Sequence, residues 1–130
     1  MKKSDIYERL SELGIYGDYY YRKELKVLSD LLNFDETLNC VFTGLYEGYR
    51  HLVAVTDYRI FVIGMPTLGK ADLKAVRRSG VKSYTFNKRF LVSSVLLETE
   101  ESKFEFKQVQ GARCKLFNWA MEQPIKEFEG

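Results

Sequence analysis

The sequence predicts an α+β chain that is mainly β: seven antiparallel strands joined by short hairpins, one closing amphipathic helix, and a short helical extension in front. Three observations predict it. The run Leu52-Val53-Ala54-Val55-Thr56-Asp57-Tyr58-Arg59-Ile60-Phe61-Val62-Ile63-Gly64 holds two strand-length apolar stretches around one polar corner, and Thr-Asp supplies side-chain oxygens suited to a tight turn. From Leu38 onward the apolar period changes from helical to alternating. The last amphipathic stretch is helical and is stopped by Pro124, which cannot continue a helix.

Taken in order, Ser4 caps a first helix with Ile6, Leu10 and Leu13 on one stripe, closed by Gly14. An aromatic connector follows, Tyr16-Gly17-Asp18-Tyr19-Tyr20-Tyr21. A second helix runs from about Arg22 to Leu32, with Leu25, Leu28 and Leu32 aligned and Asn33 at its end. Both helices are short and marginal alone, so their stripes must pack on something. In the first strand Leu38, Cys40 and Phe42 alternate with Asn39, Val41 and Thr43, and Glu47-Gly48-Tyr49 turns the chain. Strands two and three span Leu52 to Gly64, and Met65 to Gly69 form a loop. A weaker fourth strand covers Ala71 to Arg78, and a fifth runs from Val81 to Phe86. Asn87-Lys88-Arg89 leads to a sixth strand, Phe90 to Thr99. Glu100-Glu101-Ser102 leads to a seventh, where Phe104 and Phe106 alternate with Lys103, Glu105 and Lys107. The final helix extends from Gly111 or Ala112 to about Gln123, and its apolar residues span an arc too wide for one packing stripe. It is expected to cover the sheet and to meet either the leading helices or a partner. The expected division is 1–37 as a helical extension packed on the main domain and 38–130 as that domain.

The chain has 130 residues, enough for one domain with its own core. Its aromatic content of 15% is high and suits half-buried sheet surfaces. The net charge of +2 predicts no affinity of the whole chain for nucleic acid. Residues 1–37 carry 6 basic and 8 acidic side chains, whereas residues 38–109 carry 11 and 7, so the positive excess sits in the strand region. Cys40 and Cys114 with the single His51 are too few, and wrongly spaced, for a metal site. The sequence leaves a disulfide open, but with no signal peptide at Met1-Lys2-Lys3 the expected state is two reduced, buried thiols in a cytoplasmic protein.

Seven antiparallel strands followed by one amphipathic helix resemble the pleckstrin-homology (PH)-like superfold, in which a bent sheet or open barrel leaves a corner plugged by the helix. The Thr-Asp-x-Arg corner between apolar runs resembles the bacterial PH-like families, particularly the YokE-like group, as does the lead-in Leu31-Leu32-Asn33-Phe34-Asp35-Glu36-Thr37-Leu38. The resemblance covers about residues 25–125 and departs at strand four, where Lys74, Arg77 and Arg78 interrupt the apolar pattern. It implies a non-enzymatic binding role and brings no catalytic residues, cofactor or settled ligand.

Catalysis would rest on the one imidazole, His51, which sits beside an apolar strand and reads as structural. Asp57 and Arg59 read as an Asx-type turn and a local ion pair or snorkelling side chain. Two binding surfaces remain. Tyr16, Tyr19, Tyr20, Tyr21 and Trp119 are the expected protein-binding residues, because tyrosine gives contact area at low entropy cost; self-association is one form of such binding. The alternative is weak binding to an anionic membrane by Lys70, Lys74, Arg77, Arg78, Lys82, Lys88 and Arg89, opposed over residues 69–89 only by Asp72. Strand alternation leaves about half of these cations on one face. Nucleic acid ranks below lipid, since Tyr84, Phe86 and Phe90 are what a core-facing strand requires as much as a base-stacking one.

Overall fold

The leading helices find their packing surface on the outside of the sheet. In the computed structural model, which describes residues 1–127, three helices come first: α1 (Lys3–Glu12), α2 (Tyr16–Tyr19) and α3 (Glu24–Leu31). Seven strands follow: β1 (Leu38–Tyr46), β2 (Tyr49–Thr56), β3 (Arg59–Gly64), β4 (Asp72–Arg77), β5 (Val81–Asn87), β6 (Ser93–Thr99) and β7 (Lys103–Val109). A 3-10 turn at Gly111–Arg113 then enters the last helix, α4 (Cys114–Glu122). The last three residues of the expected 38–130 unit lie outside the described residues.

The strands form one antiparallel sheet in the order β4-β3-β2-β1-β7-β6-β5. Its halves are joined through a single register pair, Leu45 with Lys107, so the sheet bends there. Gly44 occupies that bend, where a Cβ would stand 3.0 Å from Phe106 Cβ. The β1–β2 hairpin is tight because Glu47 (φ 52°) and Gly48 (φ 91°) both take the left-handed conformation, as a two-residue I′ turn requires.

Two cores share the central strands. Cys40, Phe42, Val53, Val55, Ile60 and Val62 point inward against β6, β7 and the α4 residues Phe117, Ala120 and Met121. Their neighbours Val41, Leu52, Ala54, Phe61 and Ile63 point outward and are covered by Ile6, Leu10, Leu25 and Leu28 of α1 and α3. Period-2 geometry places successive side chains on opposite faces. The opening run is therefore apolar without a break because each face has its own cover. Full burial of each large side chain contributes about 1.5–3 kcal/mol. Leu116 of α4 packs against both cores, which accounts for the width of that helix's apolar arc.

Several boundaries differ from the sequence expectation. The aromatic connector contains the short helix α2. Strand six begins at Ser93, because the β5–β6 ladder ends at Asn87 with Ser94 and leaves Phe90, Leu91 and Val92 without a facing strand. Strand two begins earlier, at Tyr49, which pairs with Tyr46. Of the two free thiols Cys40 is buried, whereas Cys114, at the start of α4, is half-exposed.

Candidate functional site

The Thr-Asp-x-Arg corner is a clamp on the lead-in to β1. Thr56 Oγ1 accepts the backbone N–H groups of Tyr58 (3.1 Å) and Arg59 (3.0 Å), so Thr56, rather than Asp57, forms the side-chain turn. Asp57 instead accepts the N–H of Thr37 through Oδ1 at 2.9 Å. Arg59 donates to both oxygens of Glu36, from Nη2 at 2.9 Å and from Nε at 3.1 Å, and to the Leu31 carbonyl at 3.1 Å. Thr56 Oγ1 donates to Glu36 Oε2 at 2.6 Å. The acidic lead-in and the basic corner thus neutralise each other inside the structure.

His51 is buried between the Tyr46 and Tyr49 rings, 5.2 and 4.2 Å away between centroids. Its Nδ1 lies 3.0 Å from the Tyr49 carbonyl and its Nε2 3.6 Å from Asp72. Packing around the imidazole is tight enough that a Cβ on Gly64 would stand 2.5 Å from Nε2. A cleft of about 530 Å³ opens near β4 and the β6–β7 turn, lined by Lys74, Val76, Gly80, Glu100, Glu101 and Phe104. Its charges are largely committed: Lys74 pairs with Glu47 at 2.9 Å, and Glu100 with Lys82 at 3.3 Å. The hydrogen bond to Glu47 raises the Lys74 pKa above the ordinary lysine range.

The expected membrane cations are spread over the two edge strands, β4 and β5, and the loops beside them. Lys70 is exposed on the loop after β3, and Arg77 is exposed at the end of β4. Lys82, Lys88 and Arg89 belong to β5 and its tip, at the opposite edge of the strand order from β4. Arg78 is buried. It donates to the carbonyls of Thr56 (3.2 Å), Met121 (2.7 Å) and Gln123 (3.2 Å). Burial lowers its pKa from the ordinary arginine value. Two of its carbonyls come from the C-terminal end of α4, where the helix dipole is negative, so this cation is a structural tether unavailable to lipid.

The expected tyrosines separate as well. Tyr19 is only 3% exposed, its hydroxyl accepting from Arg113 Nε at 3.0 Å while Arg113 also pairs with Asp18. Burial pushes its pKa up to about 12. Tyr16, Tyr20 and Tyr21 (64%) are exposed and touch one another. The Tyr16 and Tyr20 rings stack at 5.3 Å, Tyr21 meets Tyr20 edge-on at 5.6 Å, and Tyr7 meets Tyr16 edge-on at 5.6 Å. Trp119 is exposed on α4.

The sequence profile of the family described as "Bacterial PH domain" matches residues 32–121. The chain belongs to the bacterial PH domain family. The matched span contains the seven strands and most of α4. Among solved structures this bacterial PH domain is similar to a DUF1696 family protein with a pleckstrin-homology domain from Shewanella loihica PV-4. Identity is 14%, with 73% of this chain and 91% of that chain covered and a TM-score of 0.46. It is also similar to a pleckstrin homology domain from Shewanella amazonensis SB2B, at 15% identity, 75% and 86% coverage and a TM-score of 0.47. No curated protein matches. PH-like domains are in general non-catalytic binding modules, and no helix among the described residues is long and apolar enough to cross a membrane.

One exposed feature of this PH domain escapes a reading by pattern alone. Phe90-Leu91-Val92 reads as the start of a strand by β-propensity, yet forms a hairpin tip in solvent. No local pattern marks it, because a three-residue Asn87-Lys88-Arg89 turn is as acceptable a hairpin loop as the longer tip that forms.

Proposed function

We propose that this PH domain is a non-catalytic assembly module that binds protein, a second copy of itself included, through the tyrosine face of its helical extension. The observation that carries the reading is the contact cluster of exposed Tyr16, Tyr20 and Tyr21 seated on half-buried Tyr7. Aromatic residues are enriched in interfaces because they bury large area while losing few rotamers. Mutual ring stacking holds this face ready, so little ordering remains for the moment of contact. Tyr19 supports the face from beneath: with Arg113 and Asp18 it ties α2 to the entry of α4. Trp119, exposed on that same helix, is a second candidate contact residue. Assignment to the YokE-like group, on the lead-in and corner residues, belongs to this proposal, as does a cytoplasmic setting for the two free thiols.

Light scattering over a concentration series tests it. Wild-type protein should associate, and Tyr20→Ala with Tyr21→Ala should return it to monomer with an unchanged thermal melt, since both side chains lie outside the cores. A chain that stays monomeric, and whose cross-linking to protein in its native extract is unchanged by the two substitutions, would overturn the reading.

A further inference from the structure

The β5–β6 hairpin carries residues 88–92 beyond its last cross-strand pair, Asn87 with Ser94. Phe90 is 98% and Leu91 86% exposed, Val92 is exposed beside them, and Lys88 and Arg89 precede them. A lone exposed apolar side chain is ordinary on a protein surface. Three in sequence at a tip, next to two cations, are not. The base of the tip is fixed while its end is free. Buried Ser93 accepts the N–H of Arg89 on Oγ at 3.1 Å, and the Lys88 stem runs so close to Gly111 that a Cβ there would lie 3.7 Å from Lys88 Cγ and Cε. Neither Lys88 nor Arg89 has an ion pair with a carboxylate among the described residues, in contrast to Lys74 and Lys82. Among the described residues the other fully exposed aromatic, Phe34, stands next to Asp35 in an acidic segment, so its surroundings suit no anionic partner.

We infer that the 88–92 tip is a membrane-contact element, inserting Phe90 and Leu91 among the acyl chains of an anionic bilayer while Lys88 and Arg89 stay with the headgroups. Charge complementarity selects this occupant. Phenylalanine and leucine gain by leaving water, and each cation adjacent to an anionic surface adds attraction that salt screens. With two cations and two inserting side chains the contact is reversible, as membrane attachment through a single weak signal is. The tip shares no residue with the tyrosine face of the helical extension.

Co-sedimentation of the full chain with vesicles of phosphatidylcholine and phosphatidylglycerol, against pure phosphatidylcholine, tests the inference. Wild-type protein should bind the anionic vesicles and lose binding as salt rises. Phe90→Asp with Leu91→Asp should lower the partition coefficient by about tenfold or more, and Lys88→Gln or Arg89→Gln by about fivefold each. All of these side chains are solvent-exposed, so melting curves should coincide with wild type and separate lost contact from lost fold. Phe90→Trp should give blue-shifted emission on the anionic vesicles alone. Tyr20→Ala should bind vesicles as wild type does, which keeps this outcome distinct from that of the tyrosine face. Wild-type protein that ignores anionic vesicles, or binding indifferent to Phe90 and Leu91, would overturn the inference. A lipid-independent increase in mass that the aspartates abolish would also overturn it, since the tip would then be an interface with a second copy.

Discussion

Glu36 looks in the sequence like one acid among several in a polar lead-in, yet it is 2% exposed and fully bonded. Its carboxylate receives Arg59 twice, Thr56 Oγ1 and the N–H of Asn33 at 3.2 Å. Removing one partner of a buried pair strands the other charge, which costs more than the pair's net worth. Glu36→Ala and Arg59→Ala should each destabilise by about 3 kcal/mol, and their combination by much less than the sum. Urea denaturation checks this: the midpoint should fall while the slope stays constant. Additive losses would mean the two residues act apart. The corner was legible as structural from its Thr-Asp-x-Arg pattern, but its partner was not. Glu36 lies 23 residues from Arg59, and no local spacing rule links a lead-in to a hairpin corner. The division of labour within the corner was hidden for a similar reason, since Thr and Asp oxygens are equally able to form the turn until Thr37 claims Asp57.

At the scale of elements, strands with clear alternation or unbroken apolar character were legible: β7 alternates, and β2 and β3 form the double run. What failed were the ends, where propensity speaks but pairing decides. Phe90 to Val92 favour strand geometry and have no facing strand, so they become a tip. Arg78 shows the same limit in charge. Its surroundings in sequence are basic and exposed, whereas the chain turns inward at Arg78–Gly80 between β4 and β5 and carries the guanidinium under α4. That planar fork reaches three carbonyls from two elements, which an ammonium on a flexible stem cannot do in the same geometry. Arg78→Lys should therefore destabilise by about 1–3 kcal/mol, and Arg78→Ala by at least as much. The tether holds the end of α4, so in Arg78→Lys Trp119 emission should change at lower denaturant than the sheet's circular dichroism, whereas in wild type the two should coincide. Coincident transitions together with wild-type stability in Arg78→Lys would refute the tether.

The whole molecule joins its two cores through the same few groups, and this makes its stability depend on alkaline pH. Cys40 sits in the inner core and Tyr19 in the outer one, and Arg113 acts electrostatically on both. Burial pushes the Cys40 thiol from 9.0 up to about 12, and the Tyr19 phenol from 10.0 up to about 12. Each group is neutral when protonated, so the folded state holds its proton to higher pH than the unfolded state does. Below pH 9 both states are protonated and the full stability is present. Above pH 9 the unfolded thiol ionises, and above 10 the unfolded phenol follows, while both stay protonated in the folded chain until about 12. Unfolding free energy should therefore fall as pH rises through the window from 9 to about 12. Chemical denaturation at intervals across that window measures the slope. Cys40→Ala should lower stability at neutral pH by opening a small cavity, yet flatten the decline that begins near pH 9. Tyr19→Phe should flatten only the part above 10, and it also removes the hydroxyl that accepts from Arg113. A wild-type profile level from pH 9 to 12, or a Cys40→Ala profile parallel to it, would mean that neither core controls the proton balance of unfolding.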